Sequence, residues 1–138
     1  MELSKDQLEL LNNCKKDKKC FSFAGLKTKA KVVDIYDGDT ITVKFFFGNQ
    51  LIQYKCRLLG IDTPEIKSKD EEKKKLAIKA RDRLRELILN KVVELDVREF
   101  DKYGRLLGVI SCDNQNINEL MLKECHGYSY DGGKKNSD

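Results

Sequence analysis

The stretch "KAKVVDIYDGDTITVKFFFGNQLIQYKCRLLG", Lys29 to Gly60, alternates apolar and polar residues with a period of two, broken only at Asp37-Gly38 and Gly48-Asn49. Successive strand side chains point to opposite faces, so the pattern predicts three consecutive antiparallel strands joined by two tight turns. Within it a second acid, Asp39, follows the Asp-Gly pair directly and stands at the mouth of the next strand. It lies on one row with Ile41, Val43 and Phe45, and is therefore aimed toward a core. A carboxylate so placed needs a cation, an arginine or several backbone donors as partner.

Beyond this segment the period changes. After Pro64, the only proline, Leu76, Ala77, Ala80, Leu84, Leu87 and Ile88 recur at helical spacing from about Asp70 to Leu89. Two further strands, "KVVELDV" and "RLLGVIS", flank the turn "DKYG". A short helix, "INELMLKEC", follows, capped by Asn116 and closed at Gly127. This order of elements predicts a mainly β protein with helices (α+β): a five-stranded OB-fold barrel with a helix over the gap. Residues 27–133 are assigned to the barrel domain and 134–138 to a polar tail. Residues 1–26 read as an extension: a polar helix from Ser4 to about Asn13, then the lysine-rich "CKKDKKC" leading to Phe21 and Phe23.

A chain of 138 residues fits one domain. With 36% charged residues and a net charge of +4, it accepts a polyanion as partner without being a dedicated polybasic binder. The five cysteines are an odd number with no CxxC pair, and "MELSKDQ" opens without an apolar h-region, so an intracellular protein with reduced thiols is expected. No apolar run reaches the roughly 18 residues of a membrane helix, and a monomer is expected. Cys56 and Cys112 read as small core residues, Cys14 and Cys20 as nearer the surface, and His126 as structural. The run "KSKDEEKKK" reads as a solvated helix face with some residual attraction for phosphate.

Charged residues that could carry chemistry gather at strand ends and in connections: Asp39, then Arg57, Asp62 and Glu65 within "RLLGIDTPE", then Arg105 after "DKYG". Two acids with a backbone carbonyl make a hard oxygen site suited to Ca2+ or Mg2+. A third acid could take a proton from water, and two arginines could neutralise charge on phosphorus. Each has a plainer reading alone. Asp39 could simply end a strand, Arg57 could pair with Asp62 or Glu65 at the core edge, Arg105 could open a strand, and Glu65 could favour a helix dipole.

Taken together and in order, "DGDT", "RLLGIDTPE" and "DKYGR" resemble the staphylococcal nuclease (thermonuclease) family of Ca2+-dependent nucleases, from roughly Lys29 to Gly127. The resemblance implies an OB-fold barrel that hydrolyses DNA and RNA by attack of water on phosphorus, endonucleolytically on single-stranded or flexible segments, leaving 3'-phosphates. By motif, Asp39 and Asp62 would be metal ligands with the Thr63 carbonyl beside them. Glu65 would be the base, and Arg57 and Arg105 the phosphate clamps. Tyr103 would border the nucleotide pocket, with Tyr128 and Tyr130 as counterparts of the stacking tyrosines. The family's third helix has no evident counterpart unless the N-terminal extension takes its place. The bacterial members are typically secreted, whereas "MELSKDQ" opens without a signal, so an intracellular or virus-encoded relative is the expectation. The competing reading is an OB-fold nucleic-acid-binding or interaction module without catalysis.

Overall fold

The alternation folds as expected. In a computed structural model that describes residues 2–17 and 21–124, with the backbone of 128–129, Lys27–Asp37 (β1), Thr40–Phe47 (β2) and Gln50–Leu58 (β3) form an antiparallel meander. Val92–Phe100 (here β5, after the two-residue β4, Ile61–Asp62) lies antiparallel to β1, and Leu106–Cys112 (β6) antiparallel to β5. A parallel pairing of Cys56, Arg57 and Leu58 with Leu106, Leu107 and Gly108 joins β6 to β3. Five long strands thereby close into a mixed barrel of OB type. The two-residue β7 (Gln115–Asn116) pairs antiparallel with the end of β6, and β8 (Tyr128–Ser129) pairs with β4.

Apolar alternation produces the core. Ile41, Val43 and Phe45 are buried on the inner row, and Asp39 on the same row is 3% exposed. The helix Glu71–Ile88 (α2) is capped by Asp70, whose carboxylate accepts from the N–H groups of Glu72 and Lys73. It buries Ala77, Ala80, Leu84 and Ile88. Leu76, counted on that face by its spacing, is instead exposed; it lies about 100° round the helix from Ala77, and the small residues Ala77 and Ala80 let the barrel approach there. The short helix Ile117–Lys123 (α3) is capped by Asn116, as its sequence predicts.

The two turns use glycine for different reasons. At Gly48-Asn49 the glycine has φ 62°, the conformation of a two-residue hairpin turn. An Asp-Gly hairpin predicts the same of Gly38, yet Gly38 has no positive φ. A Cβ there would lie 2.7 Å from the Ala80 Cβ and 2.8 Å from the Thr63 Cγ2. Gly38 is needed because α2 and Thr63, just after β4, rest directly on the turn, and the next residue, Asp39, accepts from the Thr63 N–H.

The N-terminal residues divide in two. The helix Lys5–Asn13 (α1) has a Ser4–Gln7 capping box and no buried residue, so it does not take the place of a packed third helix. Residues 21–26, read from sequence as part of the extension, lie against the barrel. Phe23 is 6% exposed and meets Phe45, Tyr54 and Phe100 edge-on at ring distances of 5.8, 5.0 and 5.2 Å. The Gly25 N–H donates to the Val97 carbonyl, and the Val97 N–H to that of Leu26. Phe23 thus fills the end of the barrel opposite Asp39, where its burial contributes on the order of 2–3 kcal/mol. Cys56 and Cys112 are buried and Cys14 is exposed. Cys20, His126, Gly127, Tyr130 and residues 134–138 lie outside the described residues.

Candidate active site at the barrel mouth

The β1–β2 turn, the end of β3 and the loop after β4 meet at one rim. Asp39 is held there from several sides. Its Oδ2 accepts from the Thr63 N–H at 3.0 Å and its Oδ1 from the Thr40 hydroxyl at 2.9 Å, while its carbonyl accepts from the Leu58 N–H at 2.8 Å. Asp62 is 1% exposed. Between the two acids stands Arg57, whose Nη2 is 3.0 Å from the Asp62 Oδ1 and 3.5 Å from the Asp39 Oδ2. Acids 23 positions apart in the chain thus converge on one guanidinium nitrogen, because pairing of Thr40 with Arg57 brings both strand ends to the same edge.

Asp39, Arg57, Glu65 and Arg105 line a single cavity of about 230 Å3, together with Tyr36, Asp37, Thr40, Ile66 and Lys67. Glu65 is exposed and lies in the loop before α2, outside the helix. Arg105 follows the left-handed Gly104 and is held by Asp101, whose Oδ2 accepts from its Nε at 2.8 Å and whose Oδ1 accepts from its backbone N–H. Burial pushes the Asp101 carboxyl up, but these bonds outweigh it and hold the group below its ordinary value. Tyr103 is 74% exposed with the Lys102 ammonium over its ring, and does not line the cavity. The Tyr128 backbone pairs with Asp62; its side chain, like Tyr130, lies outside the description.

Two residues that the sequence reading passed over belong to this region. Asp37, read only as a turn former, is 6% exposed, and its Oδ1 accepts from the Asp39 N–H. Alternation in β1 does not announce it: a bulge at Val32–Asp34 shifts the register, so that Ile35 and Asp37 continue the inward row of Ala30 and Val32. Asn118 is the other. Its side-chain amide donates to the carbonyls of Leu59 and Gly108 and its Oδ1 accepts from the Ile110 N–H, which ties α3 to β6 and to the turn leading into Asp62. Nothing in "INELM" distinguishes it from a helix-surface asparagine.

The electrostatics follow from this crowding. Burial, then the hydrogen bond and charge of Asp39, raise the Asp37 carboxyl from 3.8 to about 7. Burial also acts to raise Asp39, but hydrogen bonds from Asp37 and the Thr63 N–H, with the Arg57 charge, leave it below its ordinary value. A raised pKa in the folded state means that Asp37 contributes stability fully below about pH 4 and loses it as the pH climbs to about 7. Asp39 has the opposite sign and loses its contribution on acidification. In calcium-free buffer, Asp37→Asn should therefore gain on the wild type between pH 4 and 7, by at most about 1.4 kcal/mol per pH unit. Denaturation curves at stepped pH read this difference, and parallel pH profiles for the two proteins would refute the assignment.

Two nearly buried carboxylates at one rim are hard oxygen donors of the kind a divalent cation takes, and one guanidinium does not cancel both acids there. Among the described residues no group of three or more His, Cys, Asp or Glu side chains is spaced to hold a metal. Water or a bound phosphate would have to complete such a shell.

A family profile described as "Staphylococcal nuclease homologue" matches residues 55–137. This chain belongs to the staphylococcal nuclease family. Its relatives include a micrococcal nuclease of Shigella flexneri, 34% identical over 111 residues, which cover 74% of this chain and 58% of the relative. An uncharacterized endonuclease of Haemophilus influenzae is 36% identical over 104 residues, 75% of this chain and 53% of the relative. An uncharacterized protein of Bacillus anthracis is 39% identical over 107 residues, with coverages of 75% and 48%. The chain spans about half the length of these relatives. The profile match contains Arg57, Asp62, Glu65 and Arg105, whereas Asp39 precedes it and joins them only through the fold. Among the described residues, no helix of this staphylococcal nuclease homologue is long and apolar enough to cross a membrane.

Proposed function

We propose that the chain is a Ca2+-dependent phosphodiesterase that hydrolyses DNA, RNA or both. The observation that carries this reading is the convergence of Asp39 and Asp62 on Arg57 at the edge of a cavity that Glu65 and Arg105 also line. Family membership and relatives with nuclease names support it. Asp39 and Asp62 would hold the cation, with the Thr63 carbonyl as a further oxygen. When bound, Ca2+ supplies positive charge that polarises a phosphoryl oxygen and offsets the repulsion between an anionic diester and its nucleophile.

The remaining work falls to side chains of the chain itself. Glu65, exposed to solvent on its loop, takes a proton from the attacking water. Arg57 and Arg105 donate to the phosphate oxygens as negative charge accumulates; a guanidinium has five donors and can hold a carboxylate and a phosphate together. Asp101 orients Arg105 through its two bonds. Tyr103, Tyr128 and Tyr130 are assigned to contacts with the nucleotide, and the products to the 3'-phosphate type. Single-stranded or flexible segments are preferred, because a stacked duplex does not easily enter a cavity of this size.

Heat-denatured DNA incubated with the protein and Ca2+ should be degraded, and a chelator should stop the reaction at once. Full-length substrate persisting across a range of Ca2+ and pH would favour the non-catalytic binding module.

A further inference from the structure

The outward face of β1–β3 carries features that the cavity does not use. Opposite partners on β2 and β3 descend from the cavity as Thr40 with Arg57, Thr42 with Lys55, Lys44 with Gln53, and Phe46 with Leu51. On β1, Lys31 lies directly across from Lys44. Like charges facing each other across a sheet destabilise it, and among the described residues no carboxylate forms an ion pair with Lys31, Lys44 or Lys55. Neighbouring Lys29 differs, since Glu94 stands opposite it. One acid, Asp34, opposite Thr42, shares this part of the face with Lys31, Lys44 and Lys55. Aromatics border the lysines at both ends: Tyr36, 48% exposed at the cavity, and Phe46, 65% exposed.

We propose that this face is a track for the single strand of nucleic acid leaving the cavity, with Lys55, Lys44 and Lys31 on its phosphates and Tyr36 and Phe46 stacking on its bases. Lysines that face each other and form no ion pair among the described residues are compensated by a polyanion, and basic residues interleaved with exposed aromatics are what a sequence-tolerant single-strand groove requires. The geometry is continuous with the cavity. At about 3.4 Å per residue, Lys55 stands about 7 Å from Arg57 along β3, and Lys44 about 14 Å from Thr40 along β2. The track rests on the nuclease reading only for its direction, since the cavity is taken as the point from which the strand departs.

The test is fluorescence anisotropy with a labelled single-stranded dodecathymidylate in chelator, so that binding is read without hydrolysis. The triple variant Lys31→Glu/Lys44→Glu/Lys55→Glu should weaken binding at least tenfold and flatten the dependence of log Kd on log salt by about 2, near 0.7 per lost phosphate contact. Lys74→Glu/Lys75→Glu/Lys79→Glu on α2, with the same change in net charge, should cost less than threefold. Circular dichroism checks the fold, and Lys44→Gln/Lys55→Gln is the milder replacement if the reversal unfolds the barrel. Equal losses in the two triple variants, or wild-type binding by the first, would overturn the track. A wild type that binds through these lysines but cleaves nothing in Ca2+ would end the nuclease reading and leave the track standing. Cleavage with no difference between the triple variants would do the reverse.

Discussion

Arg57→Ala should lower turnover on denatured DNA by about 10²–10³-fold, the usual loss when one donor to a developing oxyanion is removed. It should also destabilise the calcium-free protein. Asp39 and Asp62 share Arg57 Nη2 at 3.5 and 3.0 Å and are almost inaccessible to water. Breaking a buried pair by deleting one partner costs about 3–5 kcal/mol. Arg57 is 23% exposed, so solvent can enter behind the missing side chain, and about 2–3 kcal/mol is expected. The two losses should separate when Ca2+ is added, because the cation restores positive charge between the acids without replacing the contact to phosphate. Denaturant midpoints with and without Ca2+, beside turnover in the same preparation, read both. Near-normal turnover would mean that the phosphate does not sit at Arg57.

The second large effect is expected at Glu65. A positioned general base contributes about 10²–10⁴-fold, and Glu65→Gln keeps the shape of the side chain while removing its ability to accept a proton from water. Glu65 is exposed on a loop, so the fold should change by less than about 0.5 kcal/mol. Substrate affinity should stay close to that of the wild type, which places the defect in turnover rather than KM. This outcome distinguishes catalysis from its rival, for a nucleic-acid-binding or interaction module makes no use of a base at position 65. Full activity in Glu65→Gln would remove the base from this mechanism.

What could be read from the chain depended on whether the cause of a feature was local. Period-two alternation in "DTITVKFF" is local, and it located both the strand and the buried direction of Asp39. Asn116 announces its helix because capping acts within three residues. Gly38 was legible as a turn but not for its reason, which is that a Cβ there would lie 2.7 Å from that of Ala80, 42 positions later. Phe23 was assigned to an extension because lysines precede it, whereas its environment is set by Phe45, Tyr54 and Phe100 from three other strands. Asp37 and Asn118 were missed for the same cause. One is buried by a bulge that shifts the register of β1, the other by carbonyls that only barrel closure brings to it.

Calcium titration calorimetry on the wild type, Asp39→Asn and Asp62→Asn, with folds checked by circular dichroism, addresses the gathering of both acids about one ion. One Ca2+ site per wild-type chain is predicted, with affinity reduced at least tenfold in each variant. No Ca2+ binding by the wild type, or equal binding by all three proteins, would contradict it.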